Sequence, residues 1–276
     1  MTRNADDPDE LKAARVRDWE LVATTLAARP GTTIFTVTAT VGFSLLDAVR
    51  AGPGVRLLDV ACGPGEWVPL VLSRGVDLVA TDYASGMVEE CRRNNPGVTA
   101  QVADAEALPF GDQEFDAVTC NFGVQMLPRP GSAVAEALRV LRPGGHFGFT
   151  TFCDSDAEDD LFRLVQAAIA AHRPDAPAPR AFWSAADCER ILRERGFADV
   201  TARVIVLRAE MERPEQVLDI VDTAGRSRVF LSSLSPEVRR RIDGEMVDAA
   251  ARHPIDGGAS ALSVPCILVR GTRPGS

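Results

Sequence analysis

From Val55 to Glu66 the chain runs as an apolar strand straight into a glycine turn: Leu57-Leu58-Asp59-Val60-Ala61-Cys62-Gly63-Pro64-Gly65-Glu66. A strand with so few polar positions has no solvent face, so it belongs inside a sheet covered on both sides. Similar strands follow at 76–81, 98–103, 115–121 and 146–152, with helical stretches at 66–73, 84–94 and 132–141 between them. Asn95-Pro96 and Pro143-Gly144-Gly145 close two of those helices. Alternating strands and helices imply crossover connections, parallel neighbours and helices on both faces. With further strands at 200–207 and 261–269, the expectation is an α/β fold: a doubly wound, mostly parallel, seven-stranded sheet.

The flanks are helical. Residues 1–10 read as an acidic tail, and 9–28 as a helix with Trp19, Val22, Ala23 and Leu26 on one face, stopped by Pro30-Gly31. Residues 34–50 read as a second, unusually apolar helix, so 1–50 is expected to form an N-terminal helical lid and 51–276 the main domain. An acidic turn at 154–160 leads into a helix near 160–172, and the proline-rich 173–180 reads as a loop. Ser184 and Asp187 form a reciprocal N-terminal cap, with Gly196 as the stop. Residues 214–252 read as two inserted helices before the last strand, the second opened by Ser235-Pro236 and carrying Arg239, Arg240 and Arg241 on a solvated face.

The glycine turn points to a ligand. Gly63 and Gly65 remove side chains where a ligand would approach the backbone, and Asp82, at the end of the next strand, can accept both hydroxyls of a ribose. Val68 stands where a dinucleotide fingerprint wants its third glycine, no lysine follows Lys12, and Glu66 sits where a pyrophosphate would need a base. A ribose-bearing, phosphate-free, positively charged cofactor fits better, and S-adenosylmethionine is such a molecule. An NAD-type reductase is disfavoured on the same grounds.

Four motifs resemble one family. LLDVACGPGE resembles motif I of the class I S-adenosylmethionine-dependent methyltransferases, and VATDYASGMVEEC (79–91) resembles their second-strand motif. VADAEALPFGDQEFDAVTCNFGVQMLP (102–128) resembles the stretch found in the ubiquinone/menaquinone-biosynthesis, small-molecule type, and LRPGGHF (141–147) the turn into the fifth strand. The resemblance covers about 55–152 and implies a Rossmann-like fold with S-adenosylmethionine as cofactor. It implies that Asp59, Gly63 and Gly65 surround the amino-acid part of the cofactor and that Asp82 binds the ribose. It places Tyr83 and Met87 on the adenosine, Asp104 on the adenine amino group with the Ala105 backbone on the ring, and Asn121, Phe122 and Gln125 under the methionine moiety.

Composition limits the chemistry. Three histidines (His146, His172, His253), one tyrosine (Tyr83) and one lysine (Lys12) leave few general bases. His172, at the end of the helix after the fifth strand, is the candidate base; Cys153 and Asp154 are weaker ones. Trp19, Phe35, Phe43 and Trp183 are candidate walls of an apolar substrate pocket, and Arg226 and Arg228 candidate partners for an anionic substrate. No C-x-x-C or H-E-x-x-H occurs, so no metal is expected. A net charge of −9 disfavours nucleic acid. The charge-free stretch Pro30–Leu46 is shorter than the ~20 apolar residues of a membrane span. Six unpatterned cysteines fit a cytoplasmic protein. A homodimer is left open. The expected function is methyl transfer to an O or N atom, with C less favoured, of a small, largely apolar metabolite. The alternative is a cyclase or other non-methylating enzyme that binds the cofactor on the same fold.

Overall fold

A computed structural model describes residues 7–26, 33–173 and 182–275, Arg226 and Asp256 by backbone alone. The expected tail at 1–6, the Pro30-Gly31 stop, most of the proline-rich loop and the Arg226 side chain lie outside the described residues. Three helices, α1 (Pro8–Leu26), α2 (Ile34–Ala39) and α3 (Gly42–Ala48), precede β1 (Arg56–Val60). Then follow α4 (Val68–Leu72), β2 (Asp77–Asp82), α5 (Ser85–Asn94), β3 (Thr99–Val102), β4 (Phe115–Cys120), α6 (Pro130–Val140), β5 (Leu141–Phe152), α7 (Leu161–His172) and α8 (Ala185–Glu194). The long strands β6 (Ala198–Met211) and β7 (Ser260–Thr272) complete the sheet, with α9 (Val217–Thr223), α10 (Gly225–Ser232) and α11 (Pro236–Ala251) inserted between them.

The seven strands lie in the order β3-β2-β1-β4-β5-β7-β6. The first five are parallel, and β7 runs antiparallel to both its neighbours. Successive residues of a strand face opposite sides. Leu57 therefore packs in a core with Val68 and Val71 of α4 and Val88 of α5, while Leu58 and Val60 pack with Val134 and Ala137 of α6 and Leu192 of α8. Both faces of β1 are covered, as its apolar sequence requires.

Three elements differ from the sequence-based expectation. The segment 34–50 is two helices, because the Thr40 hydroxyl turns back to bond the Val37 carbonyl and ends the first of them. The insertion holds three α-helices, with a break at Ala224-Gly225 where a Cβ on Gly225 would lie 2.8 Å from the Trp19 ring. The fifth strand begins at Leu141, and its register against β4 jumps between Phe115 and Ala117 to absorb the Pro143-Gly144-Gly145 turn.

The N-terminal helices divide in role. The third, α3, packs on β5 and β7 with Leu45 and Leu46 fully buried, as part of the layer covering the sheet. By contrast, α1 and α2 meet α9, and α1 meets α10, above the ends of the strands. The Ile34 amide donates to the Thr223 hydroxyl at 3.0 Å and ties this roof together. Among the described residues, no helix is long and apolar enough to cross a membrane.

The contact between α3 and the sheet depends on Gly148. A Cβ there would lie 2.7 Å from Val49 and 2.8 Å from Leu45. Gly148→Val is expected to destabilise the protein by about 1–3 kcal/mol through overpacking, read from the midpoint of urea unfolding.

Candidate cofactor and substrate site

The loops at the C-terminal ends of β1, β2, β4 and β5 open into one cavity of about 680 Å³. It sits where the crossovers from β1 and β4 diverge to opposite faces of the sheet, the position at which open α/β sheets bind ligands. Two non-glycine residues line it in the left-handed conformation, Ala61 at φ 59° after β1 and Phe122 at φ 58° after β4. Such residues persist only where the surrounding packing holds them. A Cβ on Gly123 would lie 2.6 Å from both the Ala61 Cβ and the Cys120 Sγ, so these two strand ends come together only because position 123 has no side chain.

Asp82 is the centre of the cofactor end. Its Oδ2 accepts the Gly63 amide at 3.0 Å and its Oδ1 the Ala84 amide at 3.0 Å. Burial pushes its carboxyl up to about 6, against the lowering pull of these backbone donors. A carboxylate can accept more bonds than these, and its place in the cavity wall suits ribose hydroxyls as further donors. Tyr83 and Met87 line the cavity beside it, and the buried Tyr83 hydroxyl lacks a well-formed hydrogen bond. Gly63, at φ 55°, also lines the cavity, and a Cβ there would lie 3.2 Å from the Phe35 ring. An acidic acceptor, an unsatisfied hydroxyl and a bare backbone turn fit an adenosine-bearing cofactor.

Asp59 and Gly65 stand behind this surface and do not line the cavity. Asp59 is fully buried, accepting the Trp67 indole at 3.0 Å and the Thr119 hydroxyl at 2.9 Å, and burial pushes its carboxyl up to about 7. It thereby holds the start of α4 against β4. A Cβ on Gly65 would lie 2.5 Å from Asn95 and 2.8 Å from Cys91, so this glycine permits close packing of the loop on α5.

Asp104 is held by the roof. The Lys12 ammonium of α1 lies 2.7 Å from its Oδ2 and 2.6 Å from Glu106, which in turn binds Arg129. Ala105 is buried nearby and, like Asp104, is not in the cavity wall. Glu20 of α1 accepts the Gly86 amide at 3.0 Å and the Ser85 hydroxyl at 3.0 Å, which docks α1 on the N-terminus of α5. At the end of β4, Asn121 lines the cavity, accepts the Thr150 hydroxyl at 2.6 Å and donates to the Thr38 carbonyl of α2 at 3.2 Å. Gln125 is outside the wall; its Oε1 accepts the Phe152 amide at 3.0 Å.

The distal end is aromatic. Phe152 stacks between Phe122 and Phe162, with ring centroids 4.4 Å and 4.6 Å away, and Phe182 and Phe230 complete the wall. Trp19 and Phe35 line the cavity from the roof, 6.2 Å apart. The other two expected wall residues are elsewhere. Phe43 is 58% exposed under the Arg74 guanidinium, because α3 turns Leu45 and Leu46 to the sheet and leaves Phe43 to solvent. Trp183 packs edge-on against Phe149 in the core on the opposite face, since it leads into α8; its neighbour Phe182 reaches the cavity instead.

His172 is also displaced from the cavity. Its Nε2 lies 3.0 Å from Glu245 of α11, because the last turn of α7 faces the insertion. Arg228 sits 3.7 Å from the buried Asp222, also away from the wall. Cys153 and Asp154 do line the cavity, and burial pushes the Cys153 thiol up to about 11, which keeps it protonated at neutral pH. Phe152, Phe162, Phe182, Phe230 and Asp160 also line the cavity, beyond the residues expected there. An Asp directly before an apolar helical run is a capping signal that marks Asp160.

Residues 58–149 match the methyltransferase domain family. The chain is 46% identical over 101 residues to a demethylmenaquinone methyltransferase of Renibacterium salmoninarum, covering 37% of this chain and 43% of that one. It is 32% identical over 175 residues to a malonyl-acyl-carrier-protein O-methyltransferase of Methylococcus capsulatus, covering 61% and 62%. The chain spans about half the length of the curated relatives it matches. Its fold is shared with the crystal structure of the 4+2 cyclase SpnF, at a TM-score of 0.55 and 19% identity over 86% of this chain and 81% of that one. Residues 58–149 thus form a methyltransferase domain, and over this stretch the chain is similar to class I S-adenosylmethionine-dependent enzymes of the menaquinone/ubiquinone type. S-adenosylmethionine is the cofactor of that class.

The raised carboxyl of Asp82 gives the site a pH dependence. The ionised form is the one that accepts two ribose hydroxyls, so bound cofactor lowers this pKa and affinity falls as pH drops through about 6. Calorimetry with S-adenosylhomocysteine is expected to show up to about tenfold weaker binding per pH unit below that point, with Asp82→Asn weak and flat across the same range.

Proposed function

We propose that this chain transfers the methyl group of S-adenosylmethionine to an O or N atom of a small, largely apolar acceptor. The observation that carries the proposal is a single roofed cavity joining the Asp82 and Gly63 end to a phenylalanine-walled end. Asp82, Tyr83, Met87 and Asn121 would hold the cofactor, and its sulfonium supplies an activated methyl group when bound. The protein's task is then to align the acceptor atom with that methyl and to keep water out, which accounts for much of the rate in a displacement of this kind. Phe122 and Phe152 bridge the two ends and fix where an acceptor ring lies. The roof of α1, α2, α9 and α10 closes the cavity over both.

The test is incubation of the protein and S-adenosylmethionine with a panel of small apolar hydroxyl and amino compounds. Mass spectrometry is expected to show a product heavier by one methylene, with one S-adenosylhomocysteine released per turnover. Because the same fold occurs in a cyclase, an isomerised product of unchanged mass with no S-adenosylhomocysteine would replace this proposal with the non-methylating one.

A further inference from the structure

We infer that Thr150 is a positioning residue for the cofactor: its buried hydroxyl fixes Asn121 and Phe122, and through them the amino-acid end of S-adenosylmethionine. The inference rests on the cofactor reading above and adds to it a residue outside the cavity wall.

Thr150 stands in β5 and is fully buried behind the wall. The parallel ladder between β4 and β5 ends with Cys120 opposite Phe149, and the chain turns away at Phe122, at φ 58°. Side chains continue the pairing there. The Thr150 hydroxyl oxygen accepts the Phe122 amide at 2.9 Å, and the Gln125 Oε1 accepts the Phe152 amide at 3.0 Å. The two strand ends thus supply acceptors to one another's phenylalanines, whose ring centroids lie 4.4 Å apart.

The hydroxyl has one proton, and its surroundings decide where that proton goes. A backbone amide can only donate, so the Thr150 oxygen accepts from Phe122. Its own proton goes to Asn121 Oδ1, 2.6 Å away. With Oδ1 engaged, the Asn121 Nδ2 faces the Thr38 carbonyl of α2 at 3.2 Å, a group that can only accept. A chain with a backbone donor at one end and a backbone acceptor at the other has a single direction. Turning the Asn121 amide over would set its oxygen against the Thr38 carbonyl and take the acceptor from the Thr150 proton. Removing the Thr150 hydroxyl removes this constraint, and it leaves the Phe122 amide without its acceptor. Phe122 is in a conformation that persists only where its surroundings hold it.

Strand order says which part of the cofactor this chain serves. Asp82 ends β2 and Asn121 follows β4, with β1 between them, and both residues line the cavity. Neighbouring strands lie about 4.8 Å apart, so the two residues stand about 10 Å from one another across the strand ends. A cofactor with its ribose on Asp82 that extends across β1 brings its amino-acid end to Asn121. A primary amide carries two hydrogens, of which the Thr38 carbonyl takes one. The place of Asn121 in the wall suits the other to the cofactor's carboxylate.

The experiment is calorimetric titration with S-adenosylhomocysteine and with 5′-methylthioadenosine, which keeps the adenosine and the sulfur but lacks the amino-acid part. Thr150→Val, of nearly the same shape without the hydroxyl, is expected to bind S-adenosylhomocysteine about tenfold more weakly, the scale of one lost hydrogen bond. Its affinity for methylthioadenosine should equal that of the wild type. Thr150→Ala should give the same split, so the test does not depend on one variant folding. Thr150→Ser keeps the hydroxyl and should restore S-adenosylhomocysteine binding. Because Thr150 acts through Asn121, Asn121→Ala should weaken S-adenosylhomocysteine binding in the wild type and weaken it no further in Thr150→Val. Equal weakening of both ligands, unchanged binding of S-adenosylhomocysteine, a serine variant as weak as the valine one, or additive losses with Asn121→Ala would overturn the inference. Failure of the wild type to bind either nucleoside would instead overturn the cofactor reading.

Discussion

The carboxylate of Asp82 is the constraint on which the site depends. It ends β2, yet its two oxygens bond backbone amides on either side of it, Gly63 in the loop after β1 and Ala84 at the entry to α5. Two neighbouring strand ends are thereby locked together by a group that dislikes being buried, as its raised pKa records. The same group faces the cavity. The interaction that orders the glycine loop is therefore also the one that presents an acceptor to a ligand. Beneath it, Asp59 performs a parallel task with side-chain donors, tying Trp67 to β4. Burial leads among the causes for each carboxyl, and the charge of Asp82 adds only slightly to the cost at Asp59.

A second layer of polar contacts attaches the roof to this frame. Lys12 reaches Asp104 and Glu106, Glu20 caps α5, and the Asn121 amide reaches back to α2. Each contact joins a helix of the roof to the loops and helix starts that follow the strands. Such partly exposed pairs contribute modestly to stability but set the geometry of the lid. The apolar contacts of Val22 and Ala23 with Ala84 and Met87 contribute the burial that holds α1 down. An enclosed cavity suits chemistry in which the reactive group comes with the cofactor and the protein supplies alignment and exclusion of water.

Much of the sheet was legible in the sequence because its strands are buried on both faces and carry near-continuous apolar runs. The glycine turn and Asp82 were legible for the same reason: a polar or bare residue at the end of such a run has few purely structural explanations. The wall of the substrate end was not. Phe182 and Trp183 are adjacent and equally apolar, and only the direction in which the chain enters α8 sends one to the cavity and the other to the opposite core. Phe43 looked equivalent to Phe35, yet the break at Thr40 re-aims the following helix. His172 was singled out for its rarity, whereas Asp160 was one acid among many in the turn at 154–160. A capping signal marks Asp160, but its burial in the cavity wall is a property of tertiary structure that no local pattern encodes.

The central claim is that the loop after β1 and the acid ending β2 receive an adenosine-bearing sulfonium cofactor and not a dinucleotide. Calorimetric titration of the protein with S-adenosylhomocysteine and, separately, with NAD tests it most directly. The account requires saturable, one-to-one binding of S-adenosylhomocysteine and no heat of binding from NAD. Binding of NAD without binding of S-adenosylhomocysteine would contradict it.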